Sequence, residues 1–109
     1  MNSSELRFWI NKYEVEKRTI QGFRDVVDNF IKDNPSRIIE YFGENFDMNL
    51  LMISMYKVSF TIGNWPESDF NYITSFARIE YKNKDMGVYK LVFNLDGEIE
   101  DDYWVSDDN

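Results

Sequence analysis

The apolar residues of this chain of 109 residues change their spacing after Gly43, and this change constrains the fold more than any other feature. Before Gly43 they recur every three or four residues, which is the spacing of a helix with one buried side. The clearest such stripe consists of Ile20, Phe23, Val26, Val27, Phe30 and Ile31. After Gly43 apolar and polar residues alternate, most regularly over residues 56–62, which is the spacing of a strand. Helices followed by strands predict an α+β fold, with the helices packed on one face of an antiparallel sheet.

The helical part is predicted over about residues 3–43, as two or three helices. Asn2 is a capping residue with Glu5 three positions later, so a first helix is expected over about 3–17. The polar residues 17–19 predict a break after it, and one long bent helix is the alternative.

The apolar stripe predicts a second helix over about 19–32, which the proline at position 35 ends. Ser36 is expected to cap a short third helix, and Gly43 to stop it.

The sheet is predicted over about residues 48–105, as four strands in a meander. Residues 50–62 form the first strand, which is expected to be central because its first half is apolar on both faces. A second strand follows over about 70–82, and residues 88–105 form a terminal hairpin. Residues 106–109 are expected to fray.

The turn of this hairpin is predicted from Asn94-Leu95-Asp96-Gly97, whose glycine can adopt the left-handed conformation and close a three-residue loop. A two-residue loop is the alternative, and it would put Phe93 opposite Glu100. The three-residue loop puts Phe93 opposite Ile99, so it is favoured.

The favoured register also predicts which side chains share a face of the last strand. It puts Tyr103 opposite Tyr89, with Asp101 on the same face as Tyr103. The residues predicted to share the other, acidic face are Glu98, Glu100, Asp102 and Trp104.

The net charge of −8 is concentrated at the end of the chain. Residues 1–95 hold 12 basic and 13 acidic residues, whereas residues 96–109 hold seven acidic residues and no basic one. Such a field repels nucleic acid and acidic membranes and attracts basic protein surfaces. The alternative is that the acidic end only improves solubility.

The chain has no His and no Cys, which excludes metal sites and catalytic bases built on those residues. Its glycines are isolated, so there is no phosphate-binding loop. We therefore expect one domain over residues 1–109, with no cofactor, no metal and no enzymatic activity. The rival is an enzyme that uses two carboxylates facing each other across a pocket, for which Glu98 with Glu100 and Glu67 with Asp69 are candidates by type. The lack of Cys, of a secretory signal and of a membrane-spanning run predicts a cytoplasmic protein.

Two tryptophans have alternative interpretations. Trp65 lies in a polar loop beside Glu67 and Asp69, where it either covers an edge of the core or is an exposed contact for a partner. Trp104 lies among the carboxylates, which suits either contact with a basic partner or protection of an edge strand from aggregation.

The segment Leu91-Val-Phe-Asn-Leu-Asp-Gly-Glu-Ile-Glu-Asp-Asp-Tyr-Trp104 resembles the strand–Asp-Gly–strand endings of small acidic immunity proteins, which bacteria carry beside secreted or contact-delivered toxins. That resemblance implies a protein that binds and neutralises a toxin. Small acidic phage inhibitors of nucleases and of bacterial defence systems are similar in size and charge.

Charge and resemblance together predict an inhibitor of a basic protein toxin, with a nuclease favoured, and no direct binding to nucleic acid or membrane. The alternatives are a phage-type inhibitor and an adaptor domain with a merely solubilising tail. The oligomeric state stays open. The predicted partner-binding residues are Glu98, Glu100, Asp101, Asp102 and Trp104, with Trp65, Glu67 and Asp69 as a second contact.

Overall fold

The computed structural model describes residues 1–106, and its elements follow the predicted order of helices before strands. The helices in this part of the chain are α1 (Ser3–Lys12), α2 (Val15–Asp33) and α3 (Pro35–Phe42). The strands are β1 (Leu51–Gly63), β2 (Phe70–Tyr81), β3 (Lys84–Phe93) and β4 (Ile99–Val105). They form one antiparallel sheet in the order β1-β2-β3-β4, which confirms the α+β fold with a meander. Most of the predicted fraying falls on residues 107–109, which lie outside the described residues.

The first helix begins as predicted and ends earlier than predicted. The Asn2 side chain caps α1 by accepting a hydrogen bond, 2.8 Å long, from a backbone N–H three residues later. The break expected at residues 17–19 is wrong, because the chain turns at Glu14, whose φ is 51°. Val15 is completely buried, and so is Thr19, one of the polar residues that suggested a break, so the buried side of α2 continues through the predicted break.

The third helix begins before the predicted cap and ends where predicted. Asn34 is its N-cap and Pro35 lies in its first turn, so the expected cap at Ser36 is wrong. Proline suits this position because the first N–H groups of a helix have no intrahelical partner. Gly43 follows the last helical residue with a φ of 85°, as the sequence predicts.

The expectation that the first strand is central is wrong, because β1 forms one edge of the sheet and β4 the other. The apolar residues that suggested two buried faces have different environments: Leu51 is 8% exposed and Met52 is 56% exposed. In a meander each strand pairs with its neighbours in sequence, so the first strand is at an edge whatever its composition.

The core lies between the helices and one face of the sheet. Phe23 and Val27 of α2 are completely buried, and the ring of Phe23 meets that of Tyr89 on β3 edge-on, with 5.4 Å between centroids. A polar pair crosses the same interface, because the buried hydroxyls of Thr19 and Ser75 lie 2.7 Å apart. The Thr19 hydroxyl donates to the carbonyl oxygen of Val15 at 2.6 Å, so Ser75 is the donor between the two hydroxyls and the buried pair is satisfied.

Three side chains of the helical layer hold the turn between β3 and β4, and we call Trp9, Tyr13 and Arg18 the turn clasp. Trp9 Nε1 donates a hydrogen bond to the carbonyl oxygen of Leu95 at 3.0 Å. Arg18 Nη1 donates to the carbonyl oxygen of Gly97 at 2.8 Å, and the Tyr13 ring lies against the same glycine. Gly97 has a φ of 83°, which confirms the predicted three-residue loop with a left-handed glycine.

We expect Gly97→Ala to lower the free energy of unfolding by about 2–4 kcal/mol, because the added Cβ disfavours the left-handed backbone and overlaps the Tyr13 ring. In a Tyr13→Ala background the same substitution should cost only about 1–2 kcal/mol, since the backbone term alone remains. Denaturant unfolding of the four proteins measures both values. Equal costs in the two backgrounds would show that the ring does not constrain the turn.

Candidate functional site

The predicted register between β3 and β4 is correct at the turn and wrong beyond it. Phe93 stands opposite Ile99 as predicted, but Glu100 is then an extra residue, which makes a β-bulge. The predicted opposition of Tyr89 and Tyr103 is therefore wrong. The pairs beyond the bulge are Val92 with Asp101, Leu91 with Asp102, Lys90 with Tyr103 and Tyr89 with Trp104.

The bulge turns Trp104 toward the helices. Its indole N–H donates to the carbonyl oxygen of Met86 at 2.8 Å, and its ring centroid lies 4.6 Å from Tyr41 and 5.1 Å from Phe23. If the pairing at the turn continued without the bulge, the Trp104 ring would lie on the outer face of the sheet. Burying a side chain of this size stabilises the fold by about 1.5–3 kcal/mol. The predicted acidic face is consequently divided, with Trp104 and Asp102 on the side of the helices.

Asn94 holds two of the predicted carboxylates beside each other. Its side-chain nitrogen donates to Glu98 and to Glu100, each at 3.0 Å. Its side-chain oxygen accepts the backbone N–H of Asp96 at 2.9 Å, which fixes the amide orientation. Both carboxylates lie on exposed residues, so their charges face solvent at the end of the hairpin.

Asp101 pairs with Tyr103 on the face of β4 that points away from the helices. The Tyr103 hydroxyl donates to Asp101 Oδ2 at 2.7 Å, and the backbone N–H of Asp102 donates to the other carboxylate oxygen at 2.8 Å. These two donors, the hydroxyl first, lower the pKa of Asp101. The same contact raises the pKa of Tyr103. At neutral pH the pair is a carboxylate held by a neutral hydroxyl.

Asp102 is held from the core side by Tyr89. The Tyr89 hydroxyl donates to Asp102 Oδ2 at 2.7 Å, and Tyr89 itself is 1% exposed. Burial, and after it the contact with Asp102, raises the pKa of Tyr89 far above its usual value. The tyrosine therefore stays a neutral donor, and it connects an exposed carboxylate to the buried part of the sheet.

The second predicted contact lies at the same end of the sheet as the β3–β4 turn. Trp65 is 71% exposed, and Glu67 and Asp69 are exposed beside it in the loop between β1 and β2. The register brings these parts together, since β1 and β2 pair as far as Phe70 while Phe93 at the turn pairs with residue 73. The β1–β2 hairpin therefore projects about 10 Å beyond the neighbouring turn, at about 3.3 Å per residue.

The face of the sheet opposite the helices forms a groove of about 940 Å³, which we call the open-face groove. It extends from Asn64 and Phe70 at the β1–β2 hairpin to Glu100 on β4, and the residues of the second predicted contact do not line it. Thr74, which is 7% exposed, lies at its floor. Further residues that line it are Tyr72, Phe76, Lys90, Asp101 and Tyr103.

Sequence reasoning missed this groove, although a signal was present. The alternation that assigns Ile73 and Ala77 to the buried face of β2 also assigns Tyr72, Thr74 and Phe76 to the opposite face. Aromatic residues on a face without helices indicate a contact surface.

Two lysines that are far apart in the sequence meet at Phe76, and one of them, Lys90, lines the groove. The Lys57 and Lys90 ammonium groups lie 4.1 Å and 5.7 Å from the centroid of Phe76. Lys90 pairs across the strands with both Phe76 and Tyr103, so the groove has a cation in its middle as well as the carboxylates of Glu100 and Asp101 at β4.

Of the carboxylate pairs named for the enzyme alternative, Glu98 and Glu100 are exposed and both bonded to Asn94, and Glu67 and Asp69 are exposed in the loop between β1 and β2.

Comparisons of the chain with protein-family profiles, with curated proteins and with solved structures found no match. Among the described residues, no helix is both long enough and apolar enough to cross a membrane. In the same part of the chain, no three metal-binding side chains come together in a way that could hold an ion.

We expect Trp104→Ala to lower the free energy of unfolding by about 2–4 kcal/mol, because it removes a ring packed under α2 and α3. Trp65→Ala should change it by less than about 0.5 kcal/mol, since that ring is exposed. Denaturant unfolding compares the two variants. A cost for Trp65 as large as that for Trp104 would contradict the environments described here.

We expect Tyr103→Phe to raise the pKa of Asp101 toward its ordinary value of 3.8, because the hydroxyl is the main cause of the lowered pKa. A carboxyl ¹³C NMR titration measures this value. Since folding lowers the pKa, the stabilisation is present above the unfolded-state pKa and is lost as the pH falls through the folded-state value. The stability advantage of the wild type over Tyr103→Phe should therefore be present at pH 7 and disappear as the pH falls through the lowered pKa of Asp101. An unchanged Asp101 pKa would show that the hydroxyl has no such effect.

Proposed function

We propose that this protein is an inhibitor that binds a basic protein through β4 and the β3–β4 turn, as an immunity protein binds its toxin. The contact residues are Glu98, Glu100, Asp101 and Asp102. A nuclease is the favoured partner, because its cationic groups normally meet phosphate and would meet these carboxylates instead.

The observation that carries the proposal is that each of these four carboxylates accepts a hydrogen bond from a neutral group. A neutral donor orients a carboxylate and leaves its charge in place. Side chains that are already ordered lose less conformational entropy when a partner binds. Carboxylates on one exposed strand also attract a basic protein from a distance, which increases the association rate.

The position of β4 at the edge of the sheet supports the same proposal. An edge strand has backbone groups that a strand of the partner can pair with. A second copy of this chain is disfavoured as that partner, because an antiparallel pair of β4 strands would bring carboxylates against carboxylates.

The two tryptophans have different roles in this proposal. Trp65 is an exposed aromatic contact beside Glu67 and Asp69, at the end of the sheet that carries the acidic turn. Trp104 holds β4 against the helices and so determines where the carboxylates lie.

The test is retention of a partner from an extract of the source organism on the immobilised protein at low ionic strength. We expect the wild type to retain a basic protein that a salt gradient releases, and Glu100→Lys with Asp102→Lys to retain at least about tenfold less. With the purified partner, the double variant should associate more slowly at low salt.

The matched control is Glu40→Lys with Glu44→Lys, which changes the net charge equally. Glu40 is exposed on α3, and Glu44 is exposed just after it, two residues before Phe46, which stacks on Tyr81 at the end of β2. Thermal unfolding confirms that both variants are folded. If the control pair loses as much of the retained partner as the β4 variant, the effect is one of net charge and not of position. If the β4 variant retains the partner fully, the acidic end has only a solubilising role.

A further inference from the structure

We infer that this protein forms a symmetric dimer, in which residues 57–63 of β1 pair antiparallel with the same residues of a second copy. The observations come from the edge of the sheet opposite to the acidic strand. The inference goes beyond the proposed function, because it concerns a contact between two copies of this chain and leaves β4 free on both.

The outer edge of β1 lacks the charges that protect the other edge of the sheet. In residues 1–106, β1 has a neighbouring strand on one side only. Its 13 residues include a single charged one, Lys57, whereas three of the seven residues of β4 are acidic. At about 3.3 Å per residue β1 is about 43 Å long, and the longest extent of the molecule is 47 Å. A long edge strand with few charges is a template for pairing with another chain.

The core is incompletely closed along the same edge. The apolar side chains of β1 that pack against the core from this edge and remain half-buried are Ile53, Met55, Val58 and Phe60. Ile62 follows them and is 51% exposed. Their partners on β2 are better covered, since Ile73 opposite Phe60 and Ile79 opposite Ile53 are completely buried. A second β1 beside the first would remove this row of side chains from water, which favours association.

A β-bulge at Tyr56 determines which part of β1 can pair. Met55 stands opposite Ala77 and Lys57 opposite Phe76, so Tyr56 is an extra residue. A bulge bends its strand, so a straight partner strand can follow only one of the two regular parts. The part after the bulge, residues 57–63, is longer than the part before it, residues 51–55. The longer part offers more backbone groups and is therefore the expected site of pairing.

Residues 57–63 are complementary to themselves on the side of the helices. In an antiparallel pair, directly opposite side chains lie on the same face of the sheet. A two-fold axis at Phe60 pairs all seven residues, and it puts Phe60 opposite Phe60 and Val58 opposite Ile62. These pairs are all apolar, and aromatic and β-branched residues are favourable partners across strands.

The other side of the same pairing brings no like charges together. Ser59 stands opposite Thr61 twice, and these hydroxyl side chains can bond to each other. Lys57 stands opposite Gly63 at each end, so the two Lys57 positions are about 20 Å apart along the strands. An axis at the middle of the whole strand would instead put Lys57 opposite Lys57, which is unfavourable.

The distribution of charge permits the dimer and limits it to two copies. The acidic β4 lies three strands from β1, which is about 14 Å and exceeds the screening length of about 8 Å at physiological ionic strength. The dimer has one sheet in the order β4-β3-β2-β1-β1-β2-β3-β4, with about 34 Å between its two acidic strands. Those strands are its free edges, and their carboxylates oppose further pairing.

The size of the contact predicts a weak dimer. Seven residues of β1 are about 23 Å long, and the two shorter extents of the molecule are 28 and 24 Å. These dimensions give about 600 Å² per copy, at the lower end of specific interfaces. We therefore expect monomer and dimer to exchange, with a dissociation constant above about 1 μM.

The test is sedimentation equilibrium of the 109-residue chain at concentrations from about 1 μM to several hundred micromolar. We expect the average mass to rise from that of the monomer toward that of the dimer. Ser59→Lys with Thr61→Lys puts lysines opposite lysines in the paired strands, so it should weaken dimerisation at least about tenfold. Thermal unfolding confirms that the variant is folded.

A charge swap tests both the register and the identity of the partner. Ser59→Glu with Thr61→Glu should also dimerise weakly by itself. Its equimolar mixture with the lysine variant should associate at least about tenfold more tightly than either alone, because opposite charges then face each other. The matched control makes the same substitutions at Met52 and Ser54, which are exposed on β1 before the bulge. These variants should dimerise within about twofold of the wild type, since they lie outside the paired residues.

Three results would overturn the inference. One is a chain that stays monomeric at every concentration. Another is a dimer that the control pair at Met52 and Ser54 weakens as much as the pair at Ser59 and Thr61. The third is a mixture of the oppositely charged variants that associates no more tightly than its components.

The inference and the proposed function fail separately. Glu100→Lys with Asp102→Lys should leave the dimer unchanged, and Ser59→Lys with Thr61→Lys should leave retention of the basic partner unchanged. If the chain is monomeric and the second variant loses that partner, the edge of β1 binds the partner and not a second copy.

Discussion

The packing of Trp104 against α2 and α3 is the interaction on which the arrangement of the acidic strand depends. A three-residue turn alone would direct this ring outward, and only an inserted residue brings it under the helices. The same inserted residue sends Glu100 and Asp101 to the open face and Asp102 to Tyr89. One hydrophobic contact thus determines the positions of three carboxylates.

The turn clasp supplies the second attachment of β4 to the helical layer. An edge strand pairs with one neighbour only, and such strands are often among the least stable parts of a sheet. Here the turn before β4 is held by side-chain hydrogen bonds from Trp9 and Arg18, and the end of β4 is held by Trp104. The acidic strand is consequently part of the folded core on one side and a charged surface on the other.

The charges of this surface act against the stability of the fold, since like charges on one strand repel. The structure offsets this cost with neutral donors, namely Asn94, Tyr89 and Tyr103, and keeps cations of the same sheet over Phe76. Lysine side chains paired with these carboxylates would stabilise the strand, but they would also cancel its negative electrostatic field. The retained charge suits the proposed binding of a basic protein, which would supply the cations.

The sequence by itself determined what depends on neighbours in the chain. Helical and strand spacing gave the order of elements, Asn2 and Gly43 marked helix ends, and Gly97 determined the left-handed turn. Each is a local preference, because it follows from a few consecutive residues.

Only the tertiary structure decided the rest. The start of α2, the edge position of β1, the bulge at Glu100 and the open-face groove all depend on which distant residues meet in the core. For Trp104, the turn and the local alternation favoured a register of β3 and β4 without a bulge, whereas burial of the ring favoured the shifted one. Burial prevailed because it removes a large apolar ring from water.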